Sequence, residues 1–145
     1  LIRQDEDLKR NAKLLASIPG IGDQSVWCLL GHLGNGQRFR NGKAAATFFG
    51  LTPMVKQSGS SVYTVVGISK IGHSDVRKTL YMPAVSFSFG RWANGPYAPF
   101  VARLLKSGKS KNTIIVALMR KLVTIAQSVL KHQKPFDPAL LKPQS

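Results

Sequence analysis

The sequence is poor in acid. Six Asp and Glu stand against 21 Lys and Arg in 145 residues, a formal net charge of +15. Three of the six (Asp5, Glu6 and Asp7) crowd into the opening segment, so residues 8–145 carry only Asp23, Asp75 and Asp137. Two-metal nucleases and polymerases hold Mg²⁺ with clustered carboxylates, and three scattered aspartates make no such cluster. The Asp5–Asp7 run reads as the solvated start of a charged helix. No metal site is expected in this chain, so metal-dependent strand chemistry has to borrow its carboxylates. Cysteine is scarcer still. Cys28 is the single one, inside the apolar run Val26–Leu30, which excludes disulfide frameworks and cysteine-rich zinc sites. A buried thiol in a reducing compartment is expected. No run reaches the ~18 consecutive apolar residues of a membrane span. The charged opening LIRQDEDLKR has no apolar segment of the signal-peptide kind. A cytoplasmic protein with no membrane partner is expected. The chain does not begin with Met, and its first residues read as the end of a longer upstream helix.

What is abundant is base. Residues 8–145 hold 20 Lys and Arg, spread through the chain and not gathered on one amphipathic stripe. A folded domain tolerates such self-repulsion best when a polyanion neutralises it, so nucleic acid is the expected partner. Hydrophobic residues make up 43% of the chain, enough for a modest core.

Periodicity and punctuation predict a mainly α fold: a single helical domain with a helix-hairpin-helix-like start and one small β-hairpin. A helix over 5–17 carries Leu8, Ala12 and Leu15 on one face. Pro19-Gly20-Ile21-Gly22 breaks it, and Asp23 is placed to cap the next helix, to about Leu33. Asn41 is placed to cap a short helix over 43–49, with Gly50 as its stop. Met54–Gln57 and Ser61–Ile68 flank Ser58-Gly59-Ser60, and the second run is rich in β-branched residues, which predicts the hairpin. A helix of about 75–92 carries Pro83, expected to kink it. Pro96 suits the first position of a helix to about Lys106. The clearest element is 111–132, where Ile114, Leu118, Leu122, Ile125 and Val129 form an apolar stripe and Arg120, Lys121, Gln127, Ser128 and Lys131 fill much of the remainder. An irregular tail follows.

Three segments could carry chemistry. At Ala16–Asp23 the glycines allow a tight turn, and the free N–H groups of the following helix can face a phosphate. Gly20 and Gly22 are the candidate backbone-contact residues, with a purely structural turn as the alternative. At Gln57–Ser61 a serine beside glycine at a hairpin tip offers an unhindered hydroxyl, though Ser-Gly is also ordinary turn chemistry. At Ser69–Lys78 a loop-to-helix junction with Lys70 and Arg77 suits a phosphate clamp, and Lys56 lies close enough in sequence to join it.

The order of these motifs is more telling than any one of them. SIPGIG (17–22), Arg38-Phe39, a short alanine-rich helix, GLTP (50–53), QSG (57–59), ISKIG (68–72) and an Arg two residues after Asp75 together resemble one family. It comprises the insertion-sequence transposases with an N-terminal RuvC-like DEDD domain, relatives of the Piv-type DNA invertases and also known as bridge-RNA-guided recombinases. The resemblance covers residues 14–137, read as the C-terminal transposase domain. The helix-hairpin-helix-like segment takes in 12–33, the end of an upstream linking helix 1–17, and the irregular tail 138–145. It implies a serine nucleophile in QSG, at Ser58, with Ser60 and Ser61 as neighbours, and a DNA strand-exchange activity. It also implies Mg²⁺ held in the N-terminal domain, a guide RNA as a further partner, and a homo-oligomer. Pro83 departs from the helix-friendly residue the family favours there. The rival class is a non-enzymatic basic helix-hairpin-helix module, which has no need of Ser58.

Overall fold

A computed structural model describes residues 2–51 and 74–141. Among these residues all regular structure is helical, so the mainly α expectation stands. The expected hairpin at 54–68 lies outside the described residues, as do Lys56, Ser58 and Lys70.

Helix α1 (Ile2–Ala16) places an acid in its first turn and Lys13 in its last, as the helix dipole favours. Leu15 is fully buried, but Leu8 is half exposed; the polar Asn11 is buried in its place. The reason is a non-local bond: Gln133 Nε2 donates to Asn11 Oδ1 at 2.9 Å, a partner no helical period could announce. Helix α2 (Asp23–Leu33) begins at Gly22, which occupies the cap position with no side-chain cap bond. Asp23 is thus the first helical residue and not the cap.

Helix α3 (Gly42–Phe48) starts where expected, with the Asn41 side chain accepting from Ala44 N at 2.9 Å. Gly50, at φ 73°, turns the chain out of it. Helix α4 (Ser74–Ser88) runs through Pro83 and buries Val76, Leu80 and Ala84, one per turn. It stops four residues short of Trp92, because Gly90 N and Trp92 N bond back to Val85 O and Ser86 O and close a turn. Helix α5 (Ala98–Lys106) has Pro99, not Pro96, in its first turn. Helix α6 (Lys111–His132) is capped by Ser110, whose Oγ accepts from Thr113 N at 3.2 Å. A short 3₁₀ turn, Pro138–Leu141, follows, and Phe136, Leu140 and Leu141 pack on the core.

α6 is the axis of the molecule. It packs against α1, α3, α4 and α5, while α2 fits against α1 and α4. Its inner face, from Ile114 to Leu130, is buried, and each large aliphatic chain there contributes about 1.5–3 kcal/mol. By length and composition α6 could cross a membrane, yet most of it is buried inside the fold, as befits a core helix. Gln127 does not belong to its polar face. It is buried, and its Nε2 donates to Gly36 O at 2.7 Å and Phe39 O at 3.1 Å. The 34–41 loop is thereby held against α6. Gly36 has φ 87°, and a Cβ there would stand 2.5 Å from Lys131 N, so only glycine fits.

Candidate nucleic-acid interface

The turn between α1 and α2 is built by local bonds and held from outside. Ile18 N donates to Leu15 O, and Ile21 N to Ile18 O, both at 3.1 Å. Ile18 and Ile21 are buried and anchor the turn. From the start of α5, distant in sequence, the buried Tyr97 hydroxyl donates to Pro19 O at 2.6 Å. Phe87 meets the Tyr97 ring edge-on, at 5.3 Å between centroids. Burial pushes the Tyr97 phenol well above its usual range, so it stays a neutral donor.

The two candidate glycines differ in kind. Gly20 has φ 94°, and a Cβ there would sit 3.4 Å from Phe87, so backbone conformation alone explains it. Gly22 has φ −92°, which any residue adopts, and a Cβ there would meet nothing within 4 Å. Gly22 is exposed at the uncapped start of α2, where backbone N–H groups point outward. Arg77, the third described candidate, lies in the first turn of α4 and is partly buried.

Arg38 and Phe39 serve the fold. Arg38 Nη1 donates to the C-terminal carbonyl of α2 at His32, at 3.0 Å. Phe39 packs at 5.2 Å on Phe48 and 6.0 Å on Phe49. This joins α2 to α3 through the loop between them.

A constellation that the sequence did not announce lies where α2 meets α4. His32 Nε2 is 3.0 Å from Asp75 Oδ2, and Cys28 Sγ is 3.9 Å from the same oxygen. The signal was present in part: Cys28 and His32 are four apart and share a helix face. Asp75 joins them only through tertiary packing. Burial pushes the Cys28 thiol up, and the neighbouring Asp75 carboxylate adds to this. The thiol is partly rather than fully buried. The hydrogen bond from His32 holds the Asp75 carboxyl below its usual range. These three are the one group of potential metal ligands among the described residues. With one sulfur, one imidazole and a single carboxylate they do not fit Mg²⁺, which demands an oxygen set. Their evident work is to tie α2 to α4.

Few acids are on hand to pair with the bases. Among the described residues, one Lys or Arg, Arg10, is ion-paired to a side-chain carboxylate, that of Asp7 at 2.7 Å. Four other cations rest on aromatic rings: Arg91 on Trp92, Lys111 on Phe89, and both Arg103 and Lys121 on Phe100. On the α1–α2 side, Trp27 is 59% exposed and lines a shallow groove with Lys9, Lys13 and Val26. Its place in an apolar run gave no hint of that exposure.

Fold and surface together define a small, strongly basic, α-helical domain. Comparison with known proteins makes this specific. Residues 12–98 match the model of the IS116/IS110/IS902 transposase family, and the chain belongs to that family. It is 42% identical over 137 residues to the pilin gene-inverting protein of Moraxella bovis, and equally to that of Moraxella lacunata. It is 30% identical over 135 residues to the transposase for insertion sequence element IS1328 of Yersinia enterocolitica. These alignments take in 94% of this chain for the first two and 87% for the third. The chain spans 42% of the length of each Moraxella protein and 37% of the Yersinia one.

Proposed function

We propose that this chain is the C-terminal DNA-binding and strand-exchange domain of a transposase or DNA invertase. The family match over residues 12–98 carries this reading. The inverting and transposing relatives, and a basic surface with little acid to neutralise it, support it. In this scheme the α1–α2 turn acts as a helix-hairpin-helix element and holds DNA backbone at Gly20 and Gly22. Lys56, Lys70 and Arg77 neutralise charge on the attacked phosphate, and Ser58 is the nucleophile. A serine at its ordinary pKa attacks poorly. Cations from this chain, and Mg²⁺ held by carboxylates of a separate N-terminal domain, supply the activation. The protein works in the cytoplasm as a homo-oligomer, with a guide RNA as a further partner.

In the attack, the Ser58 hydroxyl loses its proton as its oxygen bonds phosphorus in line, and the departing 3′ or 5′ oxygen of the DNA takes up a proton. A DNA-linked phosphoserine results, and a second strand end reverses the step. Cations near the equatorial oxygens stabilise the charge that develops on them. The test is recombination by the full-length protein bearing Ser58→Ala. Lost recombination with DNA binding retained is expected. Undiminished recombination would overturn the nucleophile assignment and favour a non-enzymatic helix-hairpin-helix module.

A further inference from the structure

Helices α5 and α6 bring three cations together with no acid between them. Arg103 Cζ and Lys121 Nζ lie 5.5 and 5.7 Å from the centre of the same Phe100 ring. Arg120 is the neighbour of Lys121 on α6 and is half-buried. Its Nε is shielded from water and has no hydrogen-bond partner. All six side-chain carboxylates fall among the described residues, and none pairs with any of these three cations.

Long basic side chains often lay their stems on apolar surface and keep their heads in water. That accounts for Phe100 beneath Arg103 and Lys121. It does not account for a guanidinium N–H withdrawn from water without an acceptor, which costs stability. Nor does it explain three like charges gathered at one spot. The strain is visible on Lys121: burial pushes its ammonium below the usual range, and Arg103 and Arg120 push it further. A structural role alone would be met better by a neutral side chain.

We propose that Arg103, Arg120 and Lys121 form a phosphate-binding site that grips the sugar-phosphate backbone on the α5–α6 face. The inference deepens the nucleic-acid reading above and rests on it. Guanidinium N–H groups match phosphate oxygens two at a time. A phosphate placed among the three would take hydrogen bonds from their outward N–H groups and neutralise the clustered charge. None of the three stands in the SIPGIG, QSG or ISKIG motifs, so the site adds a second hold on the backbone.

The test uses the full-length protein and two labelled probes, a short DNA duplex and an RNA hairpin of similar charge. Affinity is measured by fluorescence anisotropy from ~50 to ~200 mM KCl. The variant combines Arg103→Met, Arg120→Met and Lys121→Met, which keeps the stems and removes the charges. A companion combines Arg103→Lys, Arg120→Lys and Lys121→Arg. Three lost phosphate contacts should weaken binding about 100-fold at ~0.15 M salt and flatten the log–log salt slope by about 2 to 3. The charge-keeping companion should stay within a few-fold of the parent. The melting temperature of the unbound methionine variant should hold or rise. Loss on the duplex alone identifies DNA as the ligand, loss on the hairpin alone identifies RNA, and loss on both identifies the shared backbone. An unchanged slope on both probes overturns the inference. So does a lowered melting temperature with affinity lost equally in the companion, which marks a structural role. A parent protein whose affinity is flat in salt on both probes would sink the nucleic-acid reading itself.

Discussion

Tyr97 shows how much one hydroxyl can organise. It is fully buried and donates to Pro19 O, a residue distant in the sequence. Tyr97→Phe leaves that carbonyl short of its partner and should cost about 1–2 kcal/mol in chemical denaturation. The phenol's folded pKa lies above its ordinary value. Its contribution is therefore fully present below the unfolded pKa near ~10 and is lost as pH rises toward the folded pKa. Stability of the parent should fall above that pH more steeply than that of Tyr97→Phe; parallel curves would show that Tyr97 does not titrate on unfolding. The two glycines of the same turn separate backbone need from ligand need. Gly20→Ala should destabilise by about 1–2 kcal/mol through its positive φ, whereas Gly22→Ala should cost less than about 1 kcal/mol, the loss of a better N-cap residue. If α2 receives DNA backbone at Gly22, the same Gly22→Ala change should weaken DNA binding several-fold. Neither distinction was legible in SIPGIG, where both glycines look alike. The difference lies in φ and in the nearness of Phe87.

At the scale of elements, α6 was legible from end to end because its stripe is long and its cap, Ser110, is local. Asn41 and Gly50 likewise announced the ends of α3 by local chemistry. Errors arose where a distant partner decides. Gln127 looks like a polar-face residue in the helical period, yet it is buried because the backbone of the 34–41 loop needs a donor there. Leu8 and Asn11 trade places for the same kind of reason. The Cys28–His32–Asp75 group needed the packing of α2 on α4, which no spacing contains. The loop-to-helix clasp can be tested at Gly36, where an added Cβ would strike the backbone of α6. Gly36→Ala combines positive-φ strain with that clash and should cost more than about 2 kcal/mol. Gln127→Leu leaves one buried and one part-buried carbonyl without their donor and should cost about 1–3 kcal/mol. A denaturation midpoint unmoved by either change would mean that the loop is not clamped to the helix.

The whole molecule is governed by charge. A net +15 predicts binding to nucleic acid with little sequence preference and an affinity that falls by orders of magnitude between ~50 and ~200 mM salt, as counterion release requires. Charge was the most legible property of the sequence, and the ordered motifs named the family that the comparisons confirm. What composition could not give was the placement of cations on aromatic rings or around Arg120, since these arise from helices meeting. The proposed chemistry centres on Ser58, beside Gly59 and close in sequence to Lys56, Lys70 and Arg77. The most direct measurement traps the full-length protein on a suicide DNA substrate and maps the modified peptide by mass spectrometry. The account predicts a DNA-linked phosphoserine at Ser58 that is absent from Ser58→Ala, with Ser60→Ala and Ser61→Ala still forming it. An adduct on Ser60, Ser61 or Tyr63, or one that persists in Ser58→Ala, would contradict it.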